Sequence, residues 1–333
     1  MAISLQTVST ITGVLKKAAP ALEGRIVYST STAASRPTMF DAFCKTMQQD
    51  HIAQKSAREL VNRAKLVLPQ FEKAAQEILT RSGIDAKVSC RAKGVTSTAN
   101  KIQKNFKSFE NYETSREQVQ DAILGGGLRE MVGDSLGMRF TLNSSQSNGI
   151  YESIVKQKNR NFQISYFEDY YGTGVQPYAS KTVKDRFAKL CYIAPDGTKA
   201  HTTVAITEKP FGYTRTNING NFAGVNAEIQ IGGKFTNRWG DAEHALYDMR
   251  QGKTPDFSHY TEAQARLARQ IQDAYKEVLA NPALNADYTN NYLNKIWGVL
   301  RDAEKQNLNR PVYPKLPEGI PEILSAENIL KLA

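Results

Sequence analysis

The sequence predicts an α+β fold: a mixed central β-sheet flanked by helices, with helical additions at both ends. Segments with strand-like alternation cluster between roughly Ala86 and Ile231, and segments of helical period lie before, between and after them. No internal repeat is present, and a chain of 333 residues with 41% hydrophobic and 23% charged content has the composition of a folded globular protein.

Residues 1–38 are rich in Ser, Thr and Ala (VSTITG, YSTSTAASRPT) and supply little core, so they read as a loosely ordered terminus or a delivery segment. From 39 to 82 the spacing of Leu60, Val61, Ala64, Leu66, Val67 and Leu68, then Phe71, Ala74, Ile78 and Leu79, predicts a helical hairpin that ends at Ser82-Gly83. AKVSCRA then alternates as a strand, and TSTANKIQKNF reads as a helix opened by Thr or Ser caps. LGMRFTL is the next strand, YESIVKQ a helix and FQISYFEDYY a further strand, followed by a less regular stretch. KLCYIA and KAHTTVAITE flank Pro195-Asp196-Gly197 and predict a β-hairpin. GYTRTNI and VNAEIQI supply two more strands. Beyond Gly232-Gly233, KFTNRWGDAEHALYDMR is helical, as are the stretches around ARLARQIQDAYKEVL and NYLNKIWGVLRDAE. Residues 83–252 are thus the expected chemical core, 253–310 C-terminal helices and 311–333 a Pro-rich, extended tail.

Lys and Arg outnumber Asp and Glu by 43 to 33, and the resulting formal charge of +10 biases the surface toward polyanions such as nucleotides, RNA or anionic lipid. Cys44, Cys90 and Cys191 are widely spaced and odd in number, which points away from a disulfide framework or a zinc site and toward a reducing compartment. No apolar run reaches the roughly 20 residues of a membrane span, and Lys16 and Lys17 interrupt the one candidate signal-peptide core, so a cytoplasmic protein without a membrane partner is expected.

Arg91 and Lys93 stand at a strand end, with Lys101 on the next helix. Three cations converging there can neutralise a polyphosphate, Arg by its bidentate fork and Lys as a mobile point charge, although a solvated basic helix face has the same letters. In Asp134-Ser-Leu-Gly137-Met-Arg139 an acid precedes an apolar strand that contains an arginine. Such a carboxylate can hold Mg²⁺ beside phosphate oxygens, or form a structural pair with the arginine. Glu228 and Gln230 in AEIQI share one strand face while Ile229 and Ile231 share the other, as in a lined cleft or a solvent-exposed face.

In order and context these residues resemble the RelA/SpoT synthetase family over most of 85–250. Arg91, Lys93, Ser97 and Lys101 fit its R-x-K-S-x-x-S-x-x-x-K motif, and Asp134, Gly137 and Arg139 its D-x-x-G-x-R motif. Gly212 and Tyr213 fit P-K-x-x-G-Y-x-S-x-H, with Pro210 two residues ahead of Gly212 where the motif has four, Glu228 to Ile231 fit E-I-Q-I-R-T, and Trp239 and His244 fit W-A-E-x-x-H, with Glu243 directly before His244. The chain departs from the family at Gly94 in place of Ser, at Asn217 in place of His and at Gly232-Gly233 in place of Arg-Thr, mainly on the acceptor side. Between Tyr166 and Lys209 it is also longer than the family spacing.

The resemblance implies a nucleotidyltransferase-like synthetase domain that moves the β,γ-pyrophosphate of ATP to the ribose 3′-hydroxyl of a purine nucleotide, with an altered acceptor. It implies ATP contacts from Arg91, Lys93 and Lys101, charge stabilisation by Arg139, and Mg²⁺ held by Asp134 and Glu228, with Glu228 alternatively or also the base. Tyr213 would stack on the acceptor base, Arg215, Asn217 and Gln230 would read its edge or ribose, and His244 would support the helix rather than catalyse. The hydrolase domain of larger members needs an adjacent His-Asp pair, and His51, His201, His244 and His259 include none. A one-way synthetase, acting as a toxin or delivered effector with an oligomeric or inhibitory partner, is the further implication. Pyrophosphorylation of the tRNA 3′ end and an inactive RNA-binding or interaction module are the alternatives.

Overall fold

A computed structural model of the chain describes residues 45–46, 48–109, 132–143, 147–156, 162–172, 175, 177–194, 197–209, 212–250 and 260–333. The Ser/Thr-rich segment 1–38, Cys44, Pro195, Asp196, Pro210 and His259 lie outside these residues.

Asp50–Ser82 forms one continuous helix, α1, where the sequence predicted a hairpin. Pro69 is inside it, but Ala57, Val61, Ala64, Phe71, Ala74 and Ile78 remain buried along its length. A mid-helix proline costs ~3 kcal/mol, and burying just a few large apolar side chains at ~1.5–3 kcal/mol each exceeds that. Gly83, at φ 62°, ends α1 in the left-handed conformation.

The predicted strands form a six-stranded mixed sheet from β1 (Ala86–Ala92), β2 (Leu136–Leu142), β3 (Phe162–Gly172), β6 (Thr203–Lys209), β7 (Arg215–Phe222) and β8 (Val225–Gly233). Its order is β1-β2-β8-β7-β3-β6; β2 with β8 and β3 with β6 are parallel, and the other neighbours antiparallel. The predicted hairpin is present as β4 (Cys191–Ile193) and β5 (Lys199–His201), but KAHTTVAITE does not continue as one strand. Thr202 breaks it: its amide bonds to Leu190 O and its hydroxyl to Ile164 O, so the chain leaves the small hairpin and enters the main sheet as β6.

Two cores result. Met138, Phe140, Ile229, Ile231, Phe167 and Ile218 line one face of the sheet under α1, α3 (Asn148–Val155) and α4 (Lys181–Ala188). Helix α4 falls in the stretch that the sequence left irregular; it is opened by Ser180, whose hydroxyl accepts from Val183 N. Helix α2 (Val95–Phe109) follows β1 as predicted and buries Ala99, Ile102 and Phe106.

The second core joins α5 (Lys234–Ala242) and α6 (His244–Arg250) to α7 (Glu262–Ala280) and to a near-continuous helical run. That run comprises α8 (Pro282–Ala286), a π-helical turn (Asp287–Leu293) and α9 (Asn294–Lys305). The Pro-rich tail is extended only at first. A 3₁₀ turn at Glu322–Leu324 and helix α10 (Ala326–Ile329) then bury Leu324, Ala326 and Ile329 in the second core.

Candidate active site

The sheet register assembles the site. Arg91 pairs with Gly137, Gly137 with Glu228 and Glu228 with Asn219, which makes one lateral row across four strands. The next row on the same face contains Ser89, Arg139, Gln230, Asn217 and Glu168. Register partners project from one side of a sheet, and the alternate residues Met138, Phe140, Ile229 and Ile231 are buried on the other. The polar letters of AEIQI therefore share the sheet face of Arg91 and Arg139. Arg91 lies over Gly137, its Cγ and Nε 3.5 Å from where a Cβ would stand, which is ordinary contact distance.

Asp134 is two residues ahead of β2. Lys93, just after β1, prolongs the pairing through its amide to Ser135 O at 2.9 Å, which brings its side chain to Asp134. Lys93 Nζ donates to Asp134 Oδ2 at 2.6 Å and Lys101 Nζ, from α2, to Oδ1 at 2.8 Å. Across the row, Glu228 accepts from Asn217 Nδ2 at 3.1 Å and Gln230 Nε2 at 2.7 Å. The Gln230 carbonyl in turn accepts from Arg139 Nε at 3.1 Å and Arg215 Nη1 at 3.0 Å. Gln230 thus links two guanidinium groups to the carboxylate.

Burial would raise the Asp134 carboxyl, but the Lys93 and Lys101 ammonium groups outweigh it and hold the carboxyl below its usual range. Glu228 moves the other way, raised first by burial and then by the negative charge of Asp134, against the opposing influence of Gln230, Lys101 and Arg215. The two carboxylates feel each other. A divalent cation between them would relieve that repulsion, and Mg²⁺ takes one or two carboxylates plus phosphate and water oxygens, so the donor set fits Mg²⁺. Among the described residues no group of three or more His, Cys, Asp and Glu could hold a metal, so its other ligands would have to come from substrate and water.

Arg215 is only 4% exposed, and its Nε and Nη2 have no hydrogen-bond partner among the described residues. A buried guanidinium with unused donors suits an anionic ligand. Tyr213, just before β7, packs edge-on to Tyr170 and Trp297 at 5.5 Å each, with the Arg215 guanidinium 5.5 Å from its ring centre. His244 opens α6 at the surface, its ring 5.9 Å from that of Tyr247.

No family profile matches the chain, and no curated protein matches it. Among solved structures, a GTP pyrophosphokinase family protein from Streptococcus pneumoniae aligns at 17% identity over 66% of this chain and 88% of that one, with a TM-score of 0.33. Small alarmone synthetase 1 from Bacillus subtilis, bound to its product pppGpp, aligns at 18% identity over 68% of this chain and 94% of that one, with a TM-score of 0.29. Small alarmone synthetase 2 from the same organism gives 16%, 66%, 98% and 0.28.

Sequence reasoning missed two features of this face. Asp241, on α5, accepts from Arg139 Nη1 through both carboxylate oxygens at 2.8 Å, a contact made only once β8 turns into α5. Glu168 accepts from Tyr170 OH and Thr207 Oγ1, both at 2.5 Å, on the same face toward the β6 edge. The alternation Tyr166, Glu168, Tyr170 in β3 was the available signal for the second.

Proposed function

We propose that the chain is a pyrophosphokinase that transfers the β,γ-pyrophosphate of ATP to the ribose 3′-hydroxyl of a purine nucleotide. The observation that carries the reading is the coupled pair Asp134 and Glu228 on a sheet face that also bears Arg91, Lys93, Lys101 and Arg139. Phosphoryl-type transfer asks little covalent work of a protein, so positioning and charge neutralisation supply most of the acceleration, and this face is built from groups that do both.

In the proposed reaction the ribose 3′-oxygen attacks the β-phosphorus of ATP, the bond from that phosphorus to the α-β bridging oxygen breaks, and AMP leaves. Glu228 takes the hydroxyl proton, for which its raised proton affinity suits it. Mg²⁺ held by Asp134 and Glu228 would neutralise phosphate charge. Lys93 and Lys101, now on Asp134, are positioned to exchange that carboxylate for phosphate oxygens, while Arg91 lies along the nucleotide and Arg139, steadied by Asp241, faces the transferred group. Gln230 positions both arginines and the base. Tyr213, Arg215 and Asn217 form the acceptor end, where Asn217 takes the place of the family's His by bonding Glu228 directly.

The role proposed with this reading is that of a toxin or delivered effector acting in a cytoplasm. The test is incubation with labelled ATP and, separately, GDP, GTP, ADP, ATP and tRNA, followed by chromatography. A labelled purine nucleotide from the parent and none from a Glu228→Gln variant supports the reading. Label in tRNA alone replaces the acceptor with an RNA end, and no transfer to any acceptor refutes the reading.

A further inference from the structure

A cavity of about 720 Å³ lies at the other end of the sheet, among α3, α4 and α9. Asp134 precedes β2 and Ser147 follows it, so the carboxylate pair and this cavity are separated by the length of a seven-residue strand, roughly 20 Å. Three charged residues line it, Lys184, Arg301 and Lys305, and all are cations.

Two helices begin on its wall. Ser147, at the start of α3, sends its hydroxyl to Tyr178 O, so no side chain caps that helix, and Asn148 and Gly149 border the cavity. Ser180 opens α4 beside them. Arg301 supplies the independent sign of a ligand. It is 5% exposed, stacked 3.6 Å from the Tyr178 ring centre, and its Nε has no hydrogen-bond partner among the described residues. Asp169 and Glu304, behind the lining, pair with Lys184 and Arg301 and also hold groups of the interior. Asp169 bonds Thr216 Oγ1 and Ala179 N besides pairing with Lys184, and Glu304 accepts from Tyr178 and the start of α5 besides facing Arg301 at 3.6 Å.

We propose that this cavity is a second anion site that takes a small phosphorylated molecule of up to mononucleotide size. Its volume falls in the range of about 300–1,000 Å³ typical of small-molecule sites, and helix N-termini with buried guanidinium groups are the usual receptors for phosphate. The assignment does not depend on the pyrophosphokinase reading.

The test is calorimetric titration of the full chain with inorganic triphosphate. The parent should show two binding events. Lys305→Glu and Asn148→Asp should each weaken one of them by about tenfold or more, while a Lys93→Gln, Lys101→Gln double variant weakens the other. Asn148→Asp places an acid in the first turn of α3, which favours the helix, so binding lost there is not fold lost. A single event in the parent that the double variant abolishes, or parental binding by both Lys305→Glu and Asn148→Asp, overturns the proposal. An event lost to Lys305→Glu but none lost to the double variant supports the cavity and refutes the catalytic-face assignment.

Discussion

Glu228 stands close enough to Asp134 to have its proton affinity raised by that neighbour's charge, while Lys93 and Lys101 hold Asp134 below the usual carboxylate range. Of the two acids on one sheet face, Asp134 is the one held as an anion and Glu228 the one whose affinity for a proton is raised.

The rate of transfer should therefore fall on acidification at a pH set by Glu228, above the ordinary glutamate value of about 4.3, and not by Asp134. Lys101 is among the charges that lower Glu228, so Lys101→Gln should move this acid limb upward. A pH-rate profile of parent and variant measures both; an unmoved limb excludes Glu228 as the base.

Glu228→Gln should lower the transfer rate by about 10²-fold or more and yet raise stability near neutral pH. The sign follows from linkage: a carboxyl raised in the folded state stabilises the fold below its unfolded value, and that contribution is lost as pH rises through the raised one. The neutral amide escapes the loss. Thermal melts across pH should show the variant's advantage disappearing below about pH 4. Asp134 has the opposite dependence, its contribution present above the unfolded value and lost as pH falls through its depressed one.

Lys93→Gln and Lys101→Gln should raise the KM for ATP by about tenfold each, with a smaller effect on the KM for the acceptor. Steady-state kinetics with each substrate varied in turn separates the two. Equal effects on both would move these lysines away from the ATP end.

Glu304→Ala should cost about 3–5 kcal/mol. Glu304 Oε1 accepts from the amides of Phe235 and Thr236 and from the Thr236 hydroxyl, Oε2 accepts from Tyr178 OH, and its loss would leave buried Arg301 without its acid. Urea unfolding monitored by Trp239 and Trp297 fluorescence reads this directly.

Gly212→Ala should misplace Tyr213 and lower activity. Gly212 has φ 80°, and an added Cβ would lie 2.7 Å from Asn294 Oδ1 and 2.8 Å from Trp297 Cβ, so both backbone and α9 oppose it. Acceptor KM should rise more than ATP KM.

The strands were legible because a half-buried sheet writes itself in alternating letters, and LGMRFTL and AKVSCRA occupy the strands they predicted. Which acids face which cations was legible only as motif order; the register of β1, β2, β8 and β7 turns that order into proximity. Asp241 was overlooked although it stands two residues after Trp239, where W-A-E-x-x-H carries its acid; its contact with Arg139 is the part that only the fold could give. The predicted hairpin in 39–82 failed because the stripe from Ala57 to Ile78 is buried along one continuous helix, which Pro69 does not interrupt. The C-terminal tail was misjudged because its prolines come first and its buried residues, Leu324 to Leu332, come last.

Glu304 belongs to α9 by sequence, but its bonds go to Tyr178 and to the start of α5, directly after β8. A fragment that stopped at Arg250 would retain every residue of the proposed catalytic face. It would lack the acceptor for the first turn of α5, the helix that carries Asp241 to Arg139, and the Trp297 indole beside Tyr213. Exchange of this sheet between unrelated proteins by recombination would therefore yield an inert graft unless the downstream helices travelled with it.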